Sequence, residues 1–234
     1  MKTWYNNGFT MKFVVTAGPT REHLDPVRFL SNPSTGKMGF AVARAAARRG
    51  HAVTLIAGPV ALKTPKGVAR VDVTSAREML AAVERELRSP SPVPRSPTVF
   101  VATAAVADWR PATCAARKLK KAQMSGTLRL VRNPDILATV SRRARRSGAA
   151  NGRLLLVGFA AETHDVLEEA ARKCAAKGLE MIVANDVSEK GCGFGTDTNR
   201  VAFLRRDGSV EELPLMSKLA VAGRIVRACE NLCA

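Results

Sequence analysis

Aromatic residues are scarce. Tyrosine occurs once in the 234 residues, tryptophan twice and phenylalanine eight times, together 5% of the chain. Single-stranded nucleic acids bind on aromatic stacking platforms, and few are on offer here. The three histidines (His23, His51, His164) fit no Ser/His/Asp order, and no pair of acids stands out as a general acid and base. Five cysteines form no C-x-x-C pair and are odd in number, which leaves a metal site and a disulfide framework equally unsupported. The opening "MKTWYNNGFTMKFVVTAG" holds no apolar stretch of signal-peptide length, and no segment approaches a membrane span. The expectation is a cytoplasmic protein with no membrane partner.

Acidic residues are also outnumbered, leaving a net charge of +17. That excess suits polyanions: nucleic acid, an acidic surface or small phosphorylated substrates. Much of it is arginine, as in "SRRARRSG" (141–148), which reads as a solvated helix face. A nucleic-acid-binding protein remains as a reading, with no recognition motif behind it.

What is plentiful is apolar sequence, 46% of the chain and enough for one large core. Met11 directly precedes the first apolar run, so residues 1–10 read as an extension, disordered in expectation, and 11–234 as one domain. Strand-like runs at 12–18, 51–58, 69–75, 98–108, 154–163, 181–186 and 201–206 alternate with helical patterns. The helices are expected at 39–50, closed by Gly50; at 76–88, capped by Ser75; from Pro134, capped by Asn133; up to Gly178; and from Ser217. "SPSPVPRSP" (89–97), with four prolines, can only be a loop. This alternation implies an open, mostly parallel, Rossmann-like α/β sheet flanked by helices, with a small antiparallel or flap element. Ligands on such sheets bind beyond the carboxyl ends of the strands. Candidate site segments are therefore "TAGPTRE", "ATAAVADWRP", "GFAAET" and "ANDVSEKGCGFG".

The first connection, "TAGPTREHLDPVRFLSNPSTGKMG" (16–39), is too long for a dinucleotide turn and lacks G-x-G-x-x-G. It also departs from a P-loop: Ser31 holds the first glycine position and Met38 that of the magnesium-binding hydroxyl. The amides near Gly36, Lys37 and Met38 fit either an anion site or an ordinary helix start. "RKLKKAQ" (117–123), just past Asp108 and Arg110, is either a solubilising run or a mobile flap over a triphosphate. Lys173 and Lys177, four apart, share a helix face and read as surface charge unless a site lies beneath. With no acid–base pair, chemistry here would rest on positioning, cations and backbone donors.

Taken in chain order, the 16–39 loop, "ATAAVADWRP" with "KLKK", "RNPDIL", "GFAAET" with its lysine pair and "ANDV…GFGTDTNRV" resemble phosphopantothenate–cysteine ligase, from about residue 12 to 232. The resemblance implies CTP-dependent joining of 4′-phosphopantothenate to L-cysteine through an acyl-cytidylate, a step of coenzyme A biosynthesis. It assigns Asn32 to the activated acyl group, Arg28 as its neighbour one helical turn earlier, and Gly36, Lys37 and Met38 to the substrate. It carries the nucleotide site to Ala102, Thr103, Ala104, Asp108, Lys118, Pro134, Asp135, Ile136, Leu137, Phe159, Lys173 and Lys177, with Lys118 catalytic alongside Asn32. "NPDIL" and the lysine pair look bacterial, which favours CTP over ATP; magnesium accompanies the nucleotide, without assigned ligands. A homodimer is implied as well. The bacterial form is commonly the C-terminal half of a bifunctional flavoprotein whose other half decarboxylates the product. The expectation is thus a stand-alone ligase served by a separate flavoprotein decarboxylase, or the ligase half alone. A flavin- or nicotinamide-dependent oxidoreductase is the rival that the strand–helix order allows, and the missing glycine fingerprint counts against it.

Overall fold

A computed structural model describes residues 10–91, 96–121, 126–146 and 154–233. The expected extension up to Phe9, residues 92–95 of the proline-rich loop, Ala122 and Gln123 of the basic run, and Ser147 and Gly148 of the arginine run lie outside the described residues.

Strand β1 (Lys12–Ala17) is buried along its whole length, as a strand covered on both faces must be, and so reads as an unbroken apolar run. Beside it lie β4 (Ala52–Ala57) and then β5 (Val68–Asp72) on one side, and β6 (Thr98–Ala102), β9 (Leu154–Glu162) and β10 (Met181–Asp186) on the other. All of these neighbours pair in parallel. Counted in chain order, the six parallel strands run 3-2-1-4-5-6, the doubly wound order that opens a crevice between the first and fourth, here β1 and β6. Antiparallel β12 (Ala202–Arg205) and β13 (Val210–Glu212) extend the sheet beyond β10.

Helices α1 (Lys37–Arg48) and α5 (Lys218–Cys233) cover one face, meeting Phe13 and Val15 of β1. Helices α2 (Ala76–Arg88), α3 (Ile136–Arg146) and α4 (Val166–Lys177) cover the other, over Val14, Phe100 and Ile182. Ser75 caps α2 as expected, its side chain accepting from the Glu78 amide, while the Glu78 carboxylate accepts from the Thr74 amide. Gly50 closes α1 at φ 84°.

Three expectations are corrected. The α3 cap is Asp135, whose Oδ1 accepts from the Ala138 amide at 2.9 Å, so Pro134 stays outside the helix. Asn133 is unavailable as a cap because its Nδ2 donates to the Ala107 carbonyl and its Oδ1 accepts from Arg110. The 98–108 run leaves the sheet at Ala102, where the Thr103 hydroxyl turns back to the Thr16 carbonyl at 2.5 Å. Finally, the long first connection contains a hairpin, β2 (Arg21–His23) with β3 (Phe29–Ser31), so Arg28 and Asn32 are separated by strand rather than by a helical turn. Four extended residues span about 13 Å.

The expected small antiparallel element is met by three more short strand pairings, whose positions were not legible in sequence. Residues 117–121 of the basic run lie between β7 (Trp109–Pro111) and β8 (Leu130–Arg132), which pair antiparallel. The loop after β10 closes through β11 (Thr198–Asn199) pairing with β14 (Met216–Ser217). The third is β12 with β13, at the sheet's end.

Candidate active site

A cavity of about 400 Å³ opens at the carboxyl ends of β1, β6, β9 and β10, across the crevice between β1 and β6. Its first wall is the turn into α1. Gly36 sits at φ 78°, a backbone conformation costly for any side chain, and precedes the helix without a side-chain cap. The first bond from the helix runs from the Phe40 amide to the Gly36 carbonyl, 3.1 Å. Among the described residues, no hydrogen bond reaches the amides of Lys37, Met38 and Gly39, and all three residues line the cavity. Gly39 lets α1 lie directly on the sheet: a Cβ there would stand 2.5 Å from the Ala17 Cβ, 3.0 Å from the Thr16 carbonyl oxygen, and against the Thr103 hydroxyl.

Asn32 stands at the mouth of the same wall. Its Nδ2 donates to the carbonyls of Ala105 and Val106, each at 3.2 Å, so both amide hydrogens are engaged and Oδ1 is the atom left for a ligand. The second wall is the irregular chain after β6, where Ala102, Thr103, Ala104 and Asp108 line the cavity. The Asp108 carboxylate has no partner among the described residues. The third wall is Pro134, Asp135, Ile136 and Leu137 at the start of α3, and Phe159 and Lys177 form a fourth. Lys177 meets Asp135 at 2.8 Å. Burial opposes ionisation of Asp135, but the Ala138 amide and Lys177 outweigh it and hold the carboxyl below its usual value.

Three expected residues do not line the cavity. Lys173 is turned to Glu162, one turn from Lys177 on the same helix. Arg28 is held by Asp25 and donates to the Leu119 carbonyl at 3.0 Å. Lys118 is exposed on the basic segment, next to that anchored Leu119.

The fifth wall was only partly visible in sequence. Asn185, Cys192 and Phe194 fall in the strand-end segment expected to carry site residues. Asn199 and Lys218 come from β11 and the first position of α5, and line the same cavity. The Lys218 ammonium donates to the carbonyls of Gly193 and Phe194 at 3.1 and 3.3 Å. Lys37 reaches the Gly195 carbonyl at 2.9 Å and Asp197 at 2.8 Å, and the Thr35 hydroxyl donates to the Phe194 carbonyl. The 191–197 loop is thus strapped across one end of the cavity.

Among the described residues no three His, Cys, Asp or Glu side chains group to hold a metal ion. A magnesium ion that arrives on a polyphosphate needs only one or two protein carboxylates, and Asp108, which lines the cavity, would supply one. The donor set fits such an ion.

A doubly wound sheet, a ligand-sized cavity at its switch point, bare helix amides and lysines around it define an α/β domain built for anionic ligands. The chain belongs to the family of the DNA/pantothenate metabolism flavoprotein C-terminal domain, which matches residues 9–232. It is 47% identical over 217 residues to the coenzyme A biosynthesis bifunctional protein CoaBC of Vibrio cholerae, covering 92% of this chain and 51% of the relative. To the Bacillus subtilis protein of the same name it is 47% identical over 215 residues, covering 92% of this chain and 50% of the relative. The chain therefore spans about half the length of these relatives. It also superimposes on a crystal structure of the C-terminal domain of CoaBC with a TM-score of 0.78 at 39% identity, covering 97% of each chain. No described helix is long and apolar enough to cross a membrane.

Proposed function

We propose that this chain is a phosphopantothenate–cysteine ligase that activates its substrate with CTP. The observation that carries the reading is one cavity lined by Asn32, the bare amides of the α1 turn and the Pro134–Leu137 segment, in a chain whose relatives are coenzyme A biosynthesis proteins. Carboxylates are poor acylating agents because oxide is a poor leaving group. In the first step a carboxylate oxygen of 4′-phosphopantothenate attacks the α-phosphorus of CTP and displaces pyrophosphate. In the second, the amine of L-cysteine attacks the acyl carbon of the resulting acyl-cytidylate, loses a proton and expels CMP.

The chain's own groups would act by placement and charge. The amides of Lys37, Met38 and Gly39 face anionic oxygen. Leu137 and Phe159 give the base an apolar floor, and the backbone of Pro134–Leu137 offers edges for its hydrogen bonds. Lys177 would clamp the nucleotide, with Lys173 behind it. Lys118 would swing in on the basic segment to meet the triphosphate as charge builds. Magnesium, held through Asp108, would neutralise phosphate charge when bound. For Asn32 to donate to the acyl oxygen, one of its two carbonyl bonds must be exchanged for the substrate, so Asn32 would release Ala105 or Val106 on binding.

A homodimer accompanies the reading. Val27 and Phe29 on one hairpin, with Trp109, Leu128 and Leu130 on the other, are exposed apolar side chains. The two hairpin regions adjoin, the Ala115 amide donating to the Leu24 carbonyl at 2.9 Å, and a second copy would cover their exposed apolar side chains. The flavoprotein decarboxylase of the pathway would be a separate protein or a preceding half. The test is formation of CMP and pyrophosphate from CTP, dependent on both phosphopantothenate and cysteine. An oxidoreductase would form neither.

A further inference from the structure

Lys218 is the first residue of α5 and is only 7% exposed. A cation at a helix N-terminus opposes the helix dipole, and α5 has no acidic residue in its first turn to offset it. Two of the three ammonium hydrogens go to the carbonyls of Gly193 and Phe194; the third has no partner among the described residues. Burial, then the charge of Lys37, pull the Lys218 pKa below its ordinary value. The carboxylate paired with Lys37 is Asp197, whose side chain is 88% exposed and meets the ammonium at 2.8 Å. The unbonded amides of Lys37, Met38 and Gly39 lie at the same end, since the Thr35 hydroxyl donates to the Phe194 carbonyl that Lys218 also holds. Beside Lys218, Asn199 is 4% exposed, and its Oδ1 is buried without a partner. One end of the cavity thus gathers two lysines, three bare amides and an orphan acceptor, with no buried anion among them.

We propose that Lys218 binds a phosphoryl group of the cavity's ligand, seated between its ammonium and the α1 amides, and that Asp197 competes with that group for Lys37. The proposal rests on the cavity's being the ligand site described above. A phosphoryl oxygen takes the third ammonium hydrogen and offsets the repulsion between the two lysines. A hydroxyl or water carried in with it satisfies Asn199 Oδ1. Two ligands bring such a group: the nucleotide, through its polyphosphate, and phosphopantothenate, through its terminal phosphate. The purely architectural alternative is that Lys218 only pins the 193–194 carbonyls.

Calorimetric titrations of inorganic pyrophosphate, CTP and 4′-phosphopantothenate into the wild-type chain and the Lys218→Met, Lys218→Arg and Asp197→Asn variants decide the matter. Lys218→Met is expected to weaken the ligand it serves by about tenfold or more, the loss of one charge-assisted hydrogen bond. Lys218→Arg should retain most of that affinity. Asp197→Asn, at an exposed position, should tighten the same ligand by about two- to fivefold, as release of a surface ion pair allows. Pyrophosphate and CTP moving together assign Lys218 to the polyphosphate; phosphopantothenate moving alone assigns it to the substrate phosphate. Unchanged affinity for all three in Lys218→Met overturns the proposal, while the functional reading stands. So does weakening by Asp197→Asn, a result that also serves if Lys218→Met does not fold. A wild-type chain that binds none of the three overturns the functional reading itself and the proposal with it.

Discussion

Arg28 grips Asp25 through Nε at 3.0 Å and Nη2 at 2.5 Å, and the same carboxylate accepts from the amides of Val27, Arg28 and Leu119. Arg28 holds the Asp25 carboxyl well below the usual carboxylate range, so it stays ionised at any ordinary pH. Asp25 is fully buried, and through Leu119 it ties the basic segment to the β2–β3 hairpin. Arg28, placed among the substrate-binding residues by resemblance, here anchors the strand of chain that carries Lys118.

That anchoring can be separated from direct contact. Lys118→Gln should lower the rate of pyrophosphate release, while Arg142→Gln, on the exposed face of α3, should leave it unchanged. Asp25→Ala should also lower it, by freeing Leu119. If Asp25 acts through Lys118, Asp25→Ala combined with Lys118→Gln will be no slower than Lys118→Gln alone. Additive losses, measured by single-turnover kinetics, would refute the connection.

Asn32→Ala separates the two half-reactions. Without cysteine, the wild-type enzyme should release about one equivalent of pyrophosphate per site and stall, because a closed site keeps water from the acyl-cytidylate. Asn32→Ala should keep this burst yet retain the intermediate when cysteine is added, since loss of an acyl-oxygen donor costs roughly 2.7–4 kcal/mol. Mass spectrometry after acid quench reads the intermediate. Loss of the burst itself would place Asn32 in the first step.

Base selection is a third expectation. CTP should give a much higher kcat/KM than ATP, because hydrogen-bonding groups left unpaired by the wrong base are costly. Equal efficiencies would remove the Pro134–Leu137 segment from base recognition.

Gly39→Ala should destabilise the fold by about 1–3 kcal/mol, the cost of forcing α1 away from the sheet. The methyl group would meet Thr103, Ala17 and the Thr16 carbonyl, so the α1 end of the cavity should widen as well. A urea midpoint equal to wild type would show that the helix can shift freely.

The last expectation concerns acid. The Met11 amide donates to His51 Nδ1 at 3.2 Å, which requires that nitrogen to be unprotonated, and Nε2 faces Glu230 at 2.9 Å. Burial, partly countered by Glu230, lowers the His51 pKa from the ordinary 6.5. The unfolded chain therefore takes up a proton more readily than the folded one. This contribution to stability is complete above pH 6.5 and is lost as pH falls toward the folded value. Urea midpoints should fall over that window in wild type. In His51→Gln the fall should be smaller; an equal fall would assign the acid sensitivity to other groups.

Periodicity and capping chemistry carried most of the fold. The apolar runs at 12–18 and 51–58 and the helix bounded by Ser75 are local signals, set by neighbours in sequence. The displaced α3 cap shows where that stops. Asn133 and Asp135 are both good cap residues, and the choice fell to Asp135 because Ala107 and Arg110, more than twenty residues away, had claimed the Asn133 side chain. The strand-end rule likewise marked the segments that carry Thr16, Ala102, Phe159 and Asn185, since parallel strands deliver their ends to one edge whatever their order.

By itself, then, the chain specified a parallel α/β sheet, its family and four of the segments that line the cavity. Only the tertiary structure decided that Lys218 and Asn199 complete that cavity, that Lys173 is drawn aside by Glu162, and that Arg28 serves Asp25. The physical reason is that periodicity reports which face of an element is buried, whereas an ion pair or a lining residue depends on what the far end of the chain places opposite it. Lys218 lies 186 positions after Asn32, and the pairing of β11 with β14 places it at the cavity, at the head of α5.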